Sequence, residues 1–64
     1  MKLFIDRERK TQELEFSGTA AALLKQLNIN PETVVVTKNG TIITEDIKVG
    51  GDDEVKIISV VSGG

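Results

Sequence analysis

A chain of 64 residues with ten acidic and eight basic side chains has a net charge of -2, and it contains neither cysteine nor histidine. This composition excludes disulfides, thiolate chemistry and imidazole-based metal or general-base sites, and it argues against nucleic-acid binding, which usually demands a basic face. No apolar run approaches the roughly 20 residues of a membrane span, and charges at residues 6–10 interrupt any signal-peptide pattern. We expect one small cytoplasmic domain that acts as a monomer and binds no membrane.

The first two predicted elements form a β-hairpin. Residues 2–9 predict a strand because Leu3 and Ile5 alternate with polar neighbours, although Phe4 breaks the alternation. Residues 11–16 predict a second strand with Leu14 and Phe16 on one side and glutamates on the other. The two runs are close enough in sequence to pair as an antiparallel hairpin.

A short amphipathic helix is predicted next. Residues 17–19, Ser-Gly-Thr, break the strand and offer a hydroxyl cap for a helix. Pro31 disfavours helical geometry in the residue before it, so the helix should have ended before Asn30. The helix presents one apolar stripe at spacings of three and four residues, made of Ala20, Leu23, Leu24 and Leu27.

The second half of the chain predicts three more strands. Residues 33–37 are β-branched throughout, and the dipeptide Asn39-Gly40 that follows them tolerates the positive φ angles of a type I′ turn. Residues 41–44 return as a short strand, residues 45–53 form a polar connection, and residues 54–61 form the last strand.

The predicted fold is an α+β domain with the order ββαββ. We expect a mixed sheet of four to five strands with the helix packed across one face, since the leucine stripe must be buried against the sheet. The last strand is the most apolar and should lie inside the sheet, beside the first. Residues 1–61 form the domain in this interpretation, and residues 62–64, Ser-Gly-Gly, form a flexible tail.

Alternation along the last strand predicts an apolar patch on the side of the sheet that the helix leaves uncovered, which we call the open face. If the helix covers Val55, Ile57 and Ser59, then Lys56, Ile58 and Val60 lie on the open face. Exposed apolar patches usually mark a partner site. The alternatives are scattered surface residues, or a one-residue slip that exchanges the two faces. The predicted patch consists of Phe4, Val35, Ile58 and Val60.

Four segments resemble the ThiS/MoaD-type sulfur carriers. Residues 23–36, LLKQLNINPETVVV, resemble the helix-to-strand passage of that family, and residues 39–43, NGTII, resemble its turn and following strand. Residues 51–52, GD, together with residues 54–57, EVKI, are similar to the start of its last strand, and residues 62–64, SGG, to its functional tail. The segments occur in the family's order and cover nearly the whole chain.

The resemblance implies a ubiquitin-like β-grasp fold and a protein that is a co-substrate and not an enzyme. Gly64 would be adenylated by an E1-like enzyme of the ThiF/MoeB type, which uses ATP and Mg²⁺, while the carrier itself binds no cofactor or metal. A sulfur donor protein would convert the adenylate to a thiocarboxylate. A downstream synthase or target would then receive the sulfur, for thiamin, molybdopterin or thiolated tRNA. The resemblance also implies an apolar sheet face that docks the activating enzyme.

The tail residues suit this chemistry. Gly63 and Gly64 lack a Cβ, so they can thread a narrow channel to an ATP site, while Val61 and Ser62 would contact the partner. Because the chain has no cysteine, any sulfur it carries must sit on the Gly64 carbonyl.

Other interpretations stay open at this point. The chain could be a ubiquitin-like modifier joined through Gly64 to target lysines, or an interaction module with an inert tail, and the two glycines could be a frayed end or a cloning remnant. The acidic residues 45–46 and 52–54 could bind a cation but lack the spacing of a calcium loop, and solvated loops explain them better. Six lysines are possible conjugation acceptors: Lys2, Lys10, Lys25, Lys38, Lys48 and Lys56.

Overall fold

The computed structural model describes residues 1–60 of the chain. Seven strands, one α-helix and two 3₁₀ turns make up this part of the molecule. In chain order they are β1 (Lys2–Ile5), a 3₁₀ turn (Asp6–Glu8), β2 (Lys10–Glu13), β3 (Ser17–Thr19), α1 (Ala20–Gln26), a 3₁₀ turn (Pro31–Thr33), β4 (Val34–Lys38), β5 (Thr41–Ile43), β6 (Lys48–Gly50) and β7 (Glu54–Ser59).

Five strands form one mixed sheet in the order β2-β1-β7-β4-β5. The last strand, β7, lies at the centre, parallel to β1 and antiparallel to β4. The prediction that the last strand lies inside the sheet beside the first is therefore confirmed. Both hairpins, β1–β2 and β4–β5, are antiparallel as expected.

The first hairpin turns earlier than the sequence predicted. β1 ends at Ile5, and the chain then forms the 3₁₀ turn Asp6–Glu8 and passes through Arg9 in the left-handed region at φ 51°. The predicted strand 2–9 was therefore too long. The second strand runs from Lys10 to Glu13 and not over residues 11–16, although Leu14 and Phe16 do pack against the core as the alternation indicated.

A second, two-stranded sheet was not predicted. β3 pairs antiparallel with β6, so that Ser17 lies opposite Gly50 and Gly18 opposite Val49. The interpretation of residues 17–19 as a break that caps the helix and of residues 45–53 as a polar connection did not include these two strands. Val49 explains the pairing physically, because its buried side chain anchors β6 to the core while the backbone groups of β3 satisfy those of β6.

The helix begins and ends as its sequence indicates. Thr19 is the N-cap, and its hydroxyl accepts a hydrogen bond from the Ala22 amide at 3.2 Å. Leu27 is the C-cap and half-buried against the core, and Asn28 follows at φ 60°. Of the predicted apolar stripe, Ala20, Leu23 and Leu24 are buried. None of the helices in residues 1–60 is long and apolar enough to span a membrane.

The core lies between α1 and one face of the five-stranded sheet. Its largest fully buried side chains are Leu3, Leu23, Leu24, Val55 and Ile57, each of which stabilises the fold by about 1.5–3 kcal/mol through removal from water. A mixed sheet with a parallel β1–β7 pair at its centre and one helix across one face is the predicted β-grasp architecture. The open face is left without a second layer among the described residues.

Candidate functional site

The candidate site consists of the open face and the end of β7 from which the tail continues. Val61, Ser62, Gly63 and Gly64 lie outside the described residues, so their roles stay predictions. The structure does describe Val60, the last residue before them. Its amide donates to the Thr33 carbonyl at 3.0 Å, which extends the β4–β7 ladder past Ser59. Residues 61–64 therefore follow a residue whose backbone is hydrogen-bonded to Thr33, at the end of the 3₁₀ turn that precedes β4.

The strand register brings the predicted patch together. Val35 and Ile58 are direct cross-strand partners in the β4–β7 pair, and Phe4 lies one strand away on β1, level with Lys56. All three apolar side chains are half-buried, whereas Val60 is 56% exposed. On the opposite face of β7, Val55 and Ile57 are buried under α1. The four patch residues thus lie on one side of the sheet, close to the start of the tail.

Sequence reasoning missed one residue of this face. Ile42 is 72% exposed and lies directly opposite Thr37 on the open face, while its neighbour Ile43 packs against the core. A strand of three residues is too short for alternation to assign its faces from sequence. The register of the hairpin turn at Asn39 and Gly40 was the available signal, because it fixes which residue opposes Thr37.

The open face also carries charges, arranged in rows across the strands. Lys2 lies between two carboxylate residues, Glu13 on β2 and Glu54 on β7. Lys56, one row closer to the tail, lies between Phe4 on β1 and Thr37 on β4. A shallow depression of about 280 Å³ separates the two lysines and is lined by Lys2, Phe4, Thr11, Glu54 and Lys56. The face is therefore polar and charged at the start of β7 and apolar at its end.

A hydrogen-bonded cluster fixes the start of β7. Asn39, at the tip of the β4–β5 hairpin, accepts from the Glu54 amide at 2.9 Å and donates from Nδ2 to Asp53 Oδ1 at 3.2 Å. Asp53 Oδ2 accepts from the Gly50 amide at 3.1 Å and lies 3.8 Å from Lys38 Nζ. The Asn39 bond, assisted by Gly50 and Lys38, lowers the pKa of Asp53 below its usual 3.8. This cluster holds the strand that carries the tail in register.

Within residues 1–60, neither the acidic loops nor the six candidate acceptor lysines form a second candidate site. Within residues 1–60 no three His, Cys, Asp or Glu side chains come close enough to hold a metal ion. Asp46 accepts a hydrogen bond from the Thr44 hydroxyl, and this bond lowers its pKa. Lys38 is half-buried and donates to the Lys48 carbonyl at 3.1 Å. The other five lysines are exposed: Lys2, Lys10, Lys25, Lys48 and Lys56.

Comparison with known proteins gives three results. The model of the ThiS family matches residues 3–64. The chain is 43% identical over 63 residues to an uncharacterized protein of Archaeoglobus fulgidus, covering 95% of this chain and 91% of that protein. It is 33% identical over 57 residues to the sulfur carrier protein TtuB of Thermus thermophilus, covering 89% and 88% respectively.

A solved structure shares the fold over its whole length. The crystal structure of thiamine biosynthesis protein ThiS from Geobacter metallireducens superposes with a TM-score of 0.67 and covers 100% of both chains at 24% sequence identity. At that level of identity the likeness concerns the architecture alone, and it agrees with the β-grasp arrangement described above.

Proposed function

The chain belongs to the ThiS family, and on this basis we propose that it is a sulfur carrier protein whose Gly64 carboxylate is activated by an E1-like adenylating enzyme. The family match extends to residue 64 and so includes the Ser-Gly-Gly tail. The 33% identity to a protein named as a sulfur carrier supports the same role. In this proposal the chain is the co-substrate of a separate enzyme, which binds the ATP and Mg²⁺.

The Gly64 carboxylate is a poor electrophile, so the proposed reaction begins with its activation. A Gly64 carboxylate oxygen attacks the α-phosphorus of ATP, and pyrophosphate leaves. A persulfide of a sulfur donor protein then attacks the acyl carbon, and AMP leaves with the bonding electron pair. A second thiol reduces the resulting acyl disulfide, which releases the Gly64 thiocarboxylate and leaves a disulfide between that thiol and the donor cysteine. The chain has no cysteine of its own, so both thiols belong to the donor and the enzyme.

The observation that carries the proposal is the position of the apolar face relative to the tail. Ile58 and Val60 lie on the open face of the central strand, and the tail is the direct continuation of that strand. A partner docked on this face would meet the tail at its start. Four extended residues reach roughly 13 Å at about 3.3 Å each, which is enough to pass from a docked surface to a buried phosphate.

The proposal includes three candidate acceptors for the sulfur. Thiamin, molybdopterin and thiolated tRNA all take sulfur from carriers with this tail, and each requires a different synthase downstream. The ubiquitin-like modifier remains the second candidate, because it would use the same activated Gly64 and the same docking face but end in an isopeptide bond to a lysine.

The test is an intact mass measurement of the protein isolated from its native cell, together with a gel for covalent adducts. The mass first fixes the last residue of the chain. A species with one sulfur in place of one oxygen, absent from a variant lacking Gly64, supports the carrier. High-mass adducts joined through Gly64 would favour the modifier. If neither species forms when an adenylating enzyme and ATP are supplied, the proposal fails and the inert interaction module is the better description.

A further inference from the structure

The two lysines of the open face differ in their surroundings. Lys2 has Glu13 and Glu54 as its cross-strand neighbours, so carboxylates flank it on both sides. Lys56 has the uncharged Phe4 and Thr37 as its cross-strand neighbours. Along its own strand, Lys56 is followed on the same face by Ile58. Glu54 precedes Lys56 on that face and lines the same shallow depression. Lys56 therefore lies where the charged start of the open face meets its apolar end.

The described part of the chain provides no ion pair for Lys56. Residues 1–60 contain two ion pairs, between the Met1 amino group and Glu13 and between Lys38 and Asp53. The nearest acidic residue on the same strand face, Glu54, is not within ion-pair distance of Lys56. Lys56 is exposed, and no acidic side chain of residues 1–60 lies within ion-pair distance of it.

Docking of a partner would change the environment of the Lys56 ammonium group. If a flat apolar surface covered Phe4, Val35 and Ile58, it would also remove water from the Lys56 ammonium. Burying an unpaired charge costs far more than the apolar contacts around it return, unless the partner supplies an opposite charge. A carboxylate at the matching position would instead form a charge-assisted hydrogen bond beside the apolar contacts of Phe4, Val35 and Ile58.

We propose that Lys56 is a specificity residue of the docking face and that it selects an adenylating enzyme that presents a carboxylate opposite it, within an apolar surround. The inference rests on the proposed function, since it names the chemistry of the surface that the activating enzyme must offer. Enzymes with an apolar or basic residue at that position are rejected because they leave Lys56 unpaired or repelled.

The experiment compares four forms of the full chain: wild type, Lys56→Met, Lys56→Glu and Lys48→Glu. Lys48 is the matched control, since it is exposed but belongs to β6 in the small sheet and not to the open face. Each form is assayed with the organism's own adenylating enzyme by ATP–pyrophosphate exchange, and the sulfur-bearing fraction in native cells is measured by intact mass. Urea unfolding establishes that each variant is folded.

We expect Lys56→Glu to lower kcat/KM for the carrier by about 30-fold or more, and Lys56→Met by about tenfold, because the partner carboxylate is repelled in the first case and left unpaired in the second. Lys48→Glu should stay within about threefold of wild type, as expected for a charge outside the interface. Raising the salt concentration should lower the wild-type value towards that of Lys56→Met, because salt screens the charge pair. Replacing the enzyme's opposing carboxylate by lysine should restore activity with Lys56→Glu.

Three results would overturn the inference. If Lys56→Glu is activated as well as wild type while the Gly64 thiocarboxylate still forms, the sulfur-carrier function stands and the role of Lys56 is wrong. If wild type forms no thiocarboxylate, both proposals fall together. If wild type sediments as a dimer that Lys56→Glu dissociates, the face binds a second copy of this chain and not the enzyme.

Discussion

Ile57 and Ile58 follow one another along β7 and lie on opposite sides of the sheet. Ile57 is 1% exposed beneath α1, while Ile58 pairs with Val35 on the open face. One peptide step therefore separates a residue of the core from a residue of the candidate docking site. This relationship allows stability and binding to be tested by equivalent substitutions at neighbouring positions.

The first prediction concerns stability. Ile57→Val should lower the free energy of unfolding by about 1 kcal/mol and Ile57→Ala by about 3 kcal/mol, because each leaves a cavity in the core. The same changes at Ile58 should cost less than half as much, since that side chain is only half-buried. Urea denaturation at fixed temperature measures both. Equal costs at the two positions would mean that the face assignment of β7 is wrong.

The second prediction concerns docking. Ile58→Ala combined with Val60→Ala should raise the KM for the carrier in the adenylation reaction by about tenfold and leave kcat within about twofold, because the lost contacts bind ground state and transition state alike. Ile47→Ala is the control, as Ile47 is 38% exposed but lies just before β6 and away from the open face. A fall in kcat with unchanged KM would assign these residues to the chemical step and contradict a docking role.

The third prediction concerns the close backbone contact between Gly50 of β6 and Phe16, the residue just before β3. Gly50 has φ 147°, and a Cβ there would lie 2.5 Å from the Phe16 carbonyl oxygen. Gly50→Ala should therefore destabilise the fold by about 3 kcal/mol, through steric overlap and backbone strain. Gly51→Ala, at φ 61° with no atom within 4 Å of the added Cβ, should cost only about 1 kcal/mol. A thermal or urea unfolding series that ranks them in the opposite order would contradict the β3–β6 contact.

The fourth prediction concerns acid stability. The pKa of Asp53 is lowered in the folded state, first by the Asn39 bond, so its ionised form stabilises the fold fully above 3.8, the usual pKa. That contribution is lost as pH falls through the lower pKa of the folded protein. Asp53→Asn should therefore be less stable than wild type at neutral pH, with a difference that shrinks in acid.

Urea unfolding from neutral pH into acid measures this difference. With Asn39→Ser in both proteins, the effect of Asp53→Asn should lose most of its pH dependence, because the donor responsible has been removed. A difference that stays constant with pH would show that Asp53 acts through shape and not through charge.

The parts of the fold that were predicted correctly from the sequence are those that local patterns of residues determine. The stripe of Ala20, Leu23 and Leu24 specifies a helix by spacing alone, and Asn39-Gly40 adopts the two positive φ angles, 51° and 85°, that a type I′ turn requires. The central position of β7 followed from its apolar content, because a strand buried between neighbours must be rich in β-branched residues.

The parts that escaped prediction depend on contacts between distant segments. β3 and β6 have three residues each and become strands only because they meet one another, so neither carries a pattern of its own. The turn at Asp6–Glu8 ends in Arg9 at positive φ, a position that glycine or asparagine would have marked in the sequence. The surroundings of Lys56 likewise depend on the register of three strands, which fixes Phe4 and Thr37 as its cross-strand neighbours.

The parallel pairing of β1 with β7 has a consequence for synthesis on the ribosome. Leu3 pairs with Val55, so the earliest strand to emerge must wait for one of the latest. Until β7 is released, the two hairpins β1–β2 and β4–β5 have no strand between them to join them into one sheet, and an isolated hairpin is marginal in water. The open face thus gains its central strand only when translation has passed residue 59. A product that terminates before β7 lacks the central strand of the open face, and under the proposed function it would not compete for activation.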